Sequence, residues 1–153
     1  MRRLIPLVLL PLILLAFHGT VFAHCEIPCG IYGDGARFAA IEENLKTIEK
    51  SMNQIVLLSA EAGKNANQLA RWVNNKEMHA DQIREIVAQY FLAQRIKAPA
   101  NDDPAAGKAY SDKLALLHQM IVSAMKCKQT TDTAHVKKSR ELLRAFKTLY
   151  MKK

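Results

Sequence analysis

The strongest metal-binding potential in this 153-residue chain lies in His24, Cys25 and Cys29. They directly follow a stretch that looks cleavable, and cleavage between Ala23 and His24 would leave a free amine on the histidine. One metal ion could then be bound by that amine, the imidazole, the Cys25 backbone nitrogen and the two thiolates. Two nitrogens and two sulfurs in a plane suit nickel(II) or copper(II), whereas zinc prefers a tetrahedron. We interpret this terminus as a candidate one-electron redox centre.

The spacing of the two cysteines supports a turn that brings both sulfurs to one ion. Pro28 fixes its own backbone angle and stiffens the intervening residues, and Gly30 permits a close backbone approach. The alternative for Cys25 and Cys29 is a local disulfide. The third cysteine, Cys127, lies in a helical stretch, and we interpret it as a free thiol without a role in the site.

Residues 1–23 read as a secretory signal peptide. Arg2 and Arg3 supply the positive start, and residues 4–17 form an apolar run that is short for a bilayer span of about 20 residues. The alternative is an uncleaved anchor, but that would keep the His24 amine in a peptide bond and remove it from the ligand set. We therefore expect removal by signal peptidase or another maturation protease.

The remaining residues, 24–153, have the size of one domain. Loss of Arg2 and Arg3 leaves 20 of the 22 basic side chains against 14 acidic ones, a net charge of +6. The basic residues are spread along helices, which indicates solvated faces or steering of a small anion rather than nucleic-acid binding. We expect a periplasmic or secreted protein without stable membrane association after cleavage.

The segment His24–Tyr32 reads His-Cys-x-x-Pro-Cys-Gly-x-Tyr. This motif at a processed N-terminus resembles the nickel hook of the nickel superoxide dismutases. The resemblance implies that His24, Cys25 and Cys29 bind one nickel ion per subunit and that Tyr32 lines the substrate pocket. It also implies a four-helix bundle, a homohexamer, and conversion of superoxide to oxygen and hydrogen peroxide through a Ni(II)/Ni(III) cycle. The alternative is a secreted helical protein that binds metal without turnover.

Helical periodicity begins after a predicted flexible connection at residues 33–35. An apolar seam with spacings of three and four predicts the first helix, with Gly63 as its stop signal. Its members are Phe38, Ile41, Leu45, Ile48, Met52 and Ile55.

A second helix is predicted from near Asn65 or Asn67 to about Ile96, and two polar residues interrupt its apolar face. The simplest interpretation is that Lys76 extends to solvent and that His79 is a hydrogen-bonded core histidine. The alternative is that one of them supports the hook from behind, with Glu42 or Glu43 as its partner.

Two further helices complete the predicted fold. After a loop at residues 98–103, Asp103 and Pro104 have the residue types of an N-cap and a first helical position. Residues 126–131 are polar and predict a connection, after which Asp132 or Thr133 caps the fourth helix. Short links between four amphipathic helices indicate an all-α, antiparallel four-helix bundle.

Overall fold

The computed structural model describes residues 33–100 and 102–152, and within these ranges the secondary structure is helical. The α-helices are α1 (Asp34–Ser59), α2 (Ala62–Glu85), α3 (Pro104–Gln129) and α4 (Ala134–Met151). A π-helical segment, Ile86–Arg95, continues α2 without a break. The all-α prediction is confirmed, while the predicted signal peptide 1–23 lies outside the described residues. No helix in the described part is long and apolar enough to span a bilayer.

The helices pack as an antiparallel bundle in which α1 lies between α2 and α4. Asn75 contacts Ser51, and His79 contacts Asn44. Residue numbers therefore increase along α2 in the direction in which they decrease along α1. Tyr150, at the end of α4, contacts Asp34 at the start of α1, whereas Arg140, earlier in α4, contacts Glu42 and Glu49 further along α1. The two-residue turn between α1 and α2 and the short link between α3 and α4 permit this antiparallel arrangement.

The bundle core is built from the apolar seams that the sequence predicts. Five of the six seam residues of α1 are buried, and Ile55, nearest the end of the helix, is half-buried. Phe91, Leu117 and Phe146 supply the largest fully buried side chains opposite them. Because apolar burial is the main favourable contribution to folding, this seam fixes the rotation of α1 in the bundle.

Several helix boundaries differ from the sequence prediction, including the start of α2, which begins at Ala62 rather than near Asn65 or Asn67. Helix α1 ends at Ser59, and Gly63 lies inside α2 instead of terminating α1. The turn needs no glycine, since the Asn65 side-chain amide donates to the Leu58 carbonyl at the end of α1. Helix α3 continues to Gln129, so the first four residues of the predicted connection 126–131 are helical.

The prediction that Lys76 extends to solvent is wrong. Its contacts also account for the continuation of α3 beyond the predicted end. The residue is only 4% exposed, and its ammonium donates to the carbonyls of Cys127 and Lys128 in the last turn of α3. It also forms an ion pair of 3.2 Å with Glu77. Carbonyls at a helix C-terminus lack intrahelical donors and carry partial negative charge, so a buried ammonium is stabilised there.

Candidate functional site

The predicted hook residues His24, Cys25, Cys29 and Tyr32 lie outside the described residues. The described part begins at Gly33, the residue that follows Tyr32. Among residues 33–100 and 102–152, no group of three or more His, Cys, Asp or Glu side chains could hold a metal ion. The donor types of the hook, two thiols with adjacent nitrogens, do fit nickel, so the hook stays the candidate metal centre.

A polar cluster lies at the start of α1, directly after the predicted hook segment. We call it the root cluster: Asp34, Tyr90, Arg95 and Tyr150. Tyr90 Oη donates to Asp34 Oδ1 at 2.6 Å, and Tyr150 Oη donates to Asp34 Oδ2 at 3.0 Å. Arg95 Nε lies 3.2 Å from Asp34 Oδ1, and Arg95 Nη2 donates to Tyr90 Oη at 2.9 Å. The first residue of α1 is therefore held by the π-helical segment and by α4.

The predicted flexible connection at residues 33–35 is wrong for Asp34 and Gly35. Gly33 is the N-cap residue, and Asp34 and Gly35 belong to the first turn of α1. A carboxylate in the first helical turn interacts favourably with the partial positive charge of that helix end. The hydroxyl groups of Tyr90 and Tyr150 and the guanidinium of Arg95 bind this carboxylate, and they hold the first turn of α1 against the bundle.

Aromatic rings of the core pack against the two tyrosines of the root cluster. Tyr150 stacks near Phe38, Phe91 and Phe146, with ring centroids 5.4–5.9 Å apart, and Phe91 lies 5.1 Å from Tyr90. These packed rings leave little freedom for the phenol oxygens, because aromatic side chains rotate about only two bonds. The guanidinium of Arg95 covers the ring of Tyr90 at 4.9 Å from its centroid, which adds a cation–π contact.

The electrostatics of the cluster keep both phenols protonated. Burial, followed by the hydrogen bond to Asp34, raises the pKa of Tyr150 to about 12. The same two causes raise the pKa of Tyr90. The hydrogen bond to Tyr90 is the largest cause that raises the pKa of Arg95. At neutral pH the two phenols therefore act as donors and the guanidinium is fully charged.

The other residues singled out in the sequence lie further along the bundle. His79 Nδ1 lies 2.6 Å from Asn44 Oδ1, which confirms a hydrogen-bonded histidine, although it is half-buried rather than fully enclosed. Asn44 is ten residues after Asp34, about 15 Å along α1 at 1.5 Å per residue. A supporting role for His79 towards the hook stays a prediction.

Glu42 and Cys127 also have defined surroundings. Arg140 Nε donates to Glu42 Oε1 at 3.0 Å, and the same guanidinium lies 2.9 Å from Glu49. Cys127 is a free thiol, as predicted, and it is fully buried. Burial raises the pKa of the Cys127 thiol, so it stays protonated and unreactive at neutral pH.

Sequence reasoning missed the root cluster. It placed Asp34 in the predicted flexible connection and assigned no hydrogen-bond partner to the hydroxyl groups of Tyr90 and Tyr150. One signal was present: a tyrosine on a core-facing stripe needs a hydrogen-bond partner for its hydroxyl when it is buried. Tyr90 and Tyr150 lie on such stripes, so each hydroxyl needed a partner that the sequence analysis did not look for.

The comparisons with known proteins agree with the resemblance of the hook motif. The family model described as nickel-containing superoxide dismutase matches residues 19–153. Neither the curated proteins nor the solved structures gave a match. Because the match covers the hook segment and the whole helical bundle, this chain belongs to the nickel-containing superoxide dismutases, oxidoreductases that act on superoxide and use nickel as their cofactor.

Proposed function

We propose that the nickel of this enzyme is held by residues at the start of the processed chain. His24 contributes its amine and ring, Cys25 its backbone nitrogen and thiolate, and Cys29 its thiolate. The donor types support this proposal, since thiolates and anionic nitrogen favour nickel and stabilise a higher oxidation state. Nickel bound there would supply the one-electron couple for oxidation of one superoxide to oxygen and for reduction of the next, with two protons from the solvent, to hydrogen peroxide.

The root cluster supports a position for this centre at the Asp34 end of the bundle. A fully extended chain spans at most about 3.6 Å per residue, so Tyr32 can lie no further than about 7 Å from Asp34 between Cα atoms. Cys29 is limited to about 18 Å by the same argument. A fixed Asp34 therefore restricts the volume that the hook can occupy, which lowers the entropic cost of holding its ligands together.

Tyr32 is proposed to line the substrate pocket rather than to bind the metal. A phenol near its ordinary pKa of about 10 is neutral at pH 7 and can donate a hydrogen bond to a bound anion. The substrate is an anion, so a neutral donor attracts it where a carboxylate would repel it. Since no nickel ligand is lost, Tyr32→Phe should keep the metal and change the dependence of rate on superoxide concentration.

Export and assembly complete the proposal. Residues 1–23 are proposed to be removed by signal peptidase or another protease, giving a periplasmic or secreted enzyme whose first residue is His24. The membership of the family supports a homohexamer in which neighbouring chains close over the hooks. Light scattering at working concentration tests this assembly, and a fully active monomer would contradict it.

The decisive experiment combines the mature N-terminus, the metal content and the rate. Protein from its native host should begin at His24 by mass spectrometry, carry about one nickel per chain and dismutate superoxide. Cys25→Ser and Cys29→Ser should abolish the activity, since a serine oxygen cannot replace thiolate donation. Cys127→Ser is the matched control and should retain nickel and rate.

Two results would reject the proposal. One is a native, active protein that starts at a residue other than His24, because the amine would then be absent from the ligand set. The other is full activity of Cys25→Ser or Cys29→Ser with unchanged nickel content. Recombinant protein that retains one extra residue before His24 should be nearly inactive, which tests the amine without changing a side chain.

A further inference from the structure

A cleft of about 370 Å³ opens beside the root cluster. Arg95 and Lys97 line it at the end of the π-helical segment, Tyr110 and Lys113 line it from α3, and Tyr150 lines it from α4. Arg95 and Tyr150 belong to both the cleft and the root cluster. The cleft therefore lies against the point where the chain emerges from the hook.

The lining of the cleft is cationic. Three of its residues carry a positive charge, and none of its lining residues is acidic. Arg95 is paired with Asp34. Within residues 33–100 and 102–152, neither Lys97 nor Lys113 has an ion-pair partner, so no described carboxylate balances the charge of either ammonium group.

The nearest carboxylates of α3 have other partners. Asp103 accepts the Ala105 N–H at 3.0 Å as the N-cap of α3, and Asp112 lies 2.6 Å from Lys108. Asp103 is therefore engaged by the N-terminus of α3 and Asp112 by Lys108, and neither is paired with a lysine of the cleft. The local excess of positive charge is a property of the cleft itself, in addition to the net charge of the whole chain.

We propose that this cleft is a binding site for small oxyanions and that superoxide enters it on the way to the nickel. The delivery part rests on the proposed function of the hook. The two lysine ammonium groups supply charge and donors, and the hydroxyl of Tyr110 is a further donor that a small anion can reach. A cationic concavity beside a reaction centre raises the local concentration of an anionic substrate and so its association rate.

The first test neutralises the cleft and measures the rate. Lys97→Gln/Lys113→Gln should lower kcat/KM for superoxide about threefold to tenfold at low ionic strength, with unchanged nickel content. The difference from the wild type should close near 1 M salt, where the screening length falls to about 3 Å.

The matched control removes the same charge elsewhere. Lys126 and Lys137 are exposed and unpaired within the described residues, and each lies 13 positions, about 20 Å, along its helix from a cleft residue. Lys126→Gln/Lys137→Gln should keep kcat/KM within about twofold of the wild type. Equal losses in the two double variants would show an effect of net charge alone and would overturn the role of the cleft.

The second test is independent of the hook and of catalysis. Inorganic phosphate added to the full chain should shift the backbone amide resonances of Tyr110 and Lys113, and Lys97→Gln/Lys113→Gln should abolish the shift at Tyr110. Phosphate binding in nickel-bearing protein that begins at His24 and has no dismutase activity would reject the proposed hook function and still support the anion site. Absence of a phosphate-dependent shift in the wild type would overturn the anion site.

Discussion

Asp34→Asn should destabilise the bundle by about 2 kcal/mol, because this carboxylate accepts two phenol hydrogen bonds and faces a guanidinium. A hydrogen bond to a charged group contributes about 1.5–3 kcal/mol when buried. The Asp34 and Arg95 side chains are 33% and 28% exposed, so solvent screening reduces that contribution. Asparagine retains one oxygen acceptor but replaces the other oxygen with a donor that opposes one of the two phenols.

The measurement is the free energy of unfolding from urea denaturation of the mature chain, with the melting temperature as a second readout. For a domain of this size, about 2 kcal/mol corresponds to a fall of about 6–12 °C. The control is Asp103→Asn, whose change should stay within about 0.5 kcal/mol because asparagine caps a helix as well as aspartate does.

The same variant tests the link between the root cluster and the hook. If Asp34 restricts the hook, Asp34→Asn should lower the dismutase rate per bound nickel at temperatures where the bundle remains folded. Equal stability of Asp34→Asn and Asp103→Asn would show that the cluster contributes nothing to folding. Wild-type rate per nickel in Asp34→Asn would refute the argument that a fixed α1 entry positions the metal centre.

Two further predictions concern Lys76 and Tyr150. Lys76→Met should lower the free energy of unfolding by about 2 kcal/mol, because it leaves the Cys127 and Lys128 carbonyls without their donor. The control Lys126→Met, at an exposed position, should change it by no more than about 0.5 kcal/mol. Equal urea midpoints for the two variants would refute this prediction. Stability should also fall between pH 10 and about 12, because the folded chain keeps the Tyr150 proton that the unfolded chain loses above the ordinary pKa of 10. Tyr150→Phe should make that fall shallower, and an unchanged slope in urea titrations across this range would contradict the assignment.

The sequence was sufficient for those features that depend on local patterns. The seam from Phe38 to Met52 follows helical periodicity, so it predicted both the helix and the face that is buried. Asp103 and Pro104 predicted the start of α3, and the Asp103 side chain does accept the Ala105 N–H. Family membership followed from a short motif with strict residue types, and it is confirmed by the match over residues 19–153.

Features that depend on contacts between distant positions could not be predicted in this way. Lys76 interrupts an apolar stripe, and the pattern alone cannot show that the end of α3 supplies acceptors 51 positions later. A lone charged residue on a buried face is usually expected to reach solvent because unpaired burial is costly. Here the carbonyls of a helix C-terminus compensate that cost, and this compensation exists only once the bundle has formed.

The π-helical segment explains why Tyr90 and Arg95 can act together in the root cluster. In an α-helix, residues five apart point in directions that differ by about 140°, so one side chain could not cover the other. The wider turn of a π-helix brings positions i and i+5 into register, as the Ile96 N–H to Phe91 carbonyl bond of 3.0 Å illustrates. Arg95 can therefore donate to the hydroxyl of Tyr90 and lie over its ring.

This local geometry also connects the two functional proposals. Arg95 faces Asp34 at the root of the hook and lines the cationic cleft, and a regular α-helix would separate it from Tyr90. The hydrophobic pattern of α2 continues through the segment, so periodicity predicted a helix there without distinguishing its type. The wider turn has no propensity advantage in an isolated peptide, and its stabilisation comes from the contacts that Tyr90 and Arg95 make across the bundle. The position of α1, and with it the point where the proposed metal-binding segment joins the bundle, thus depends on a backbone conformation that only tertiary packing selects.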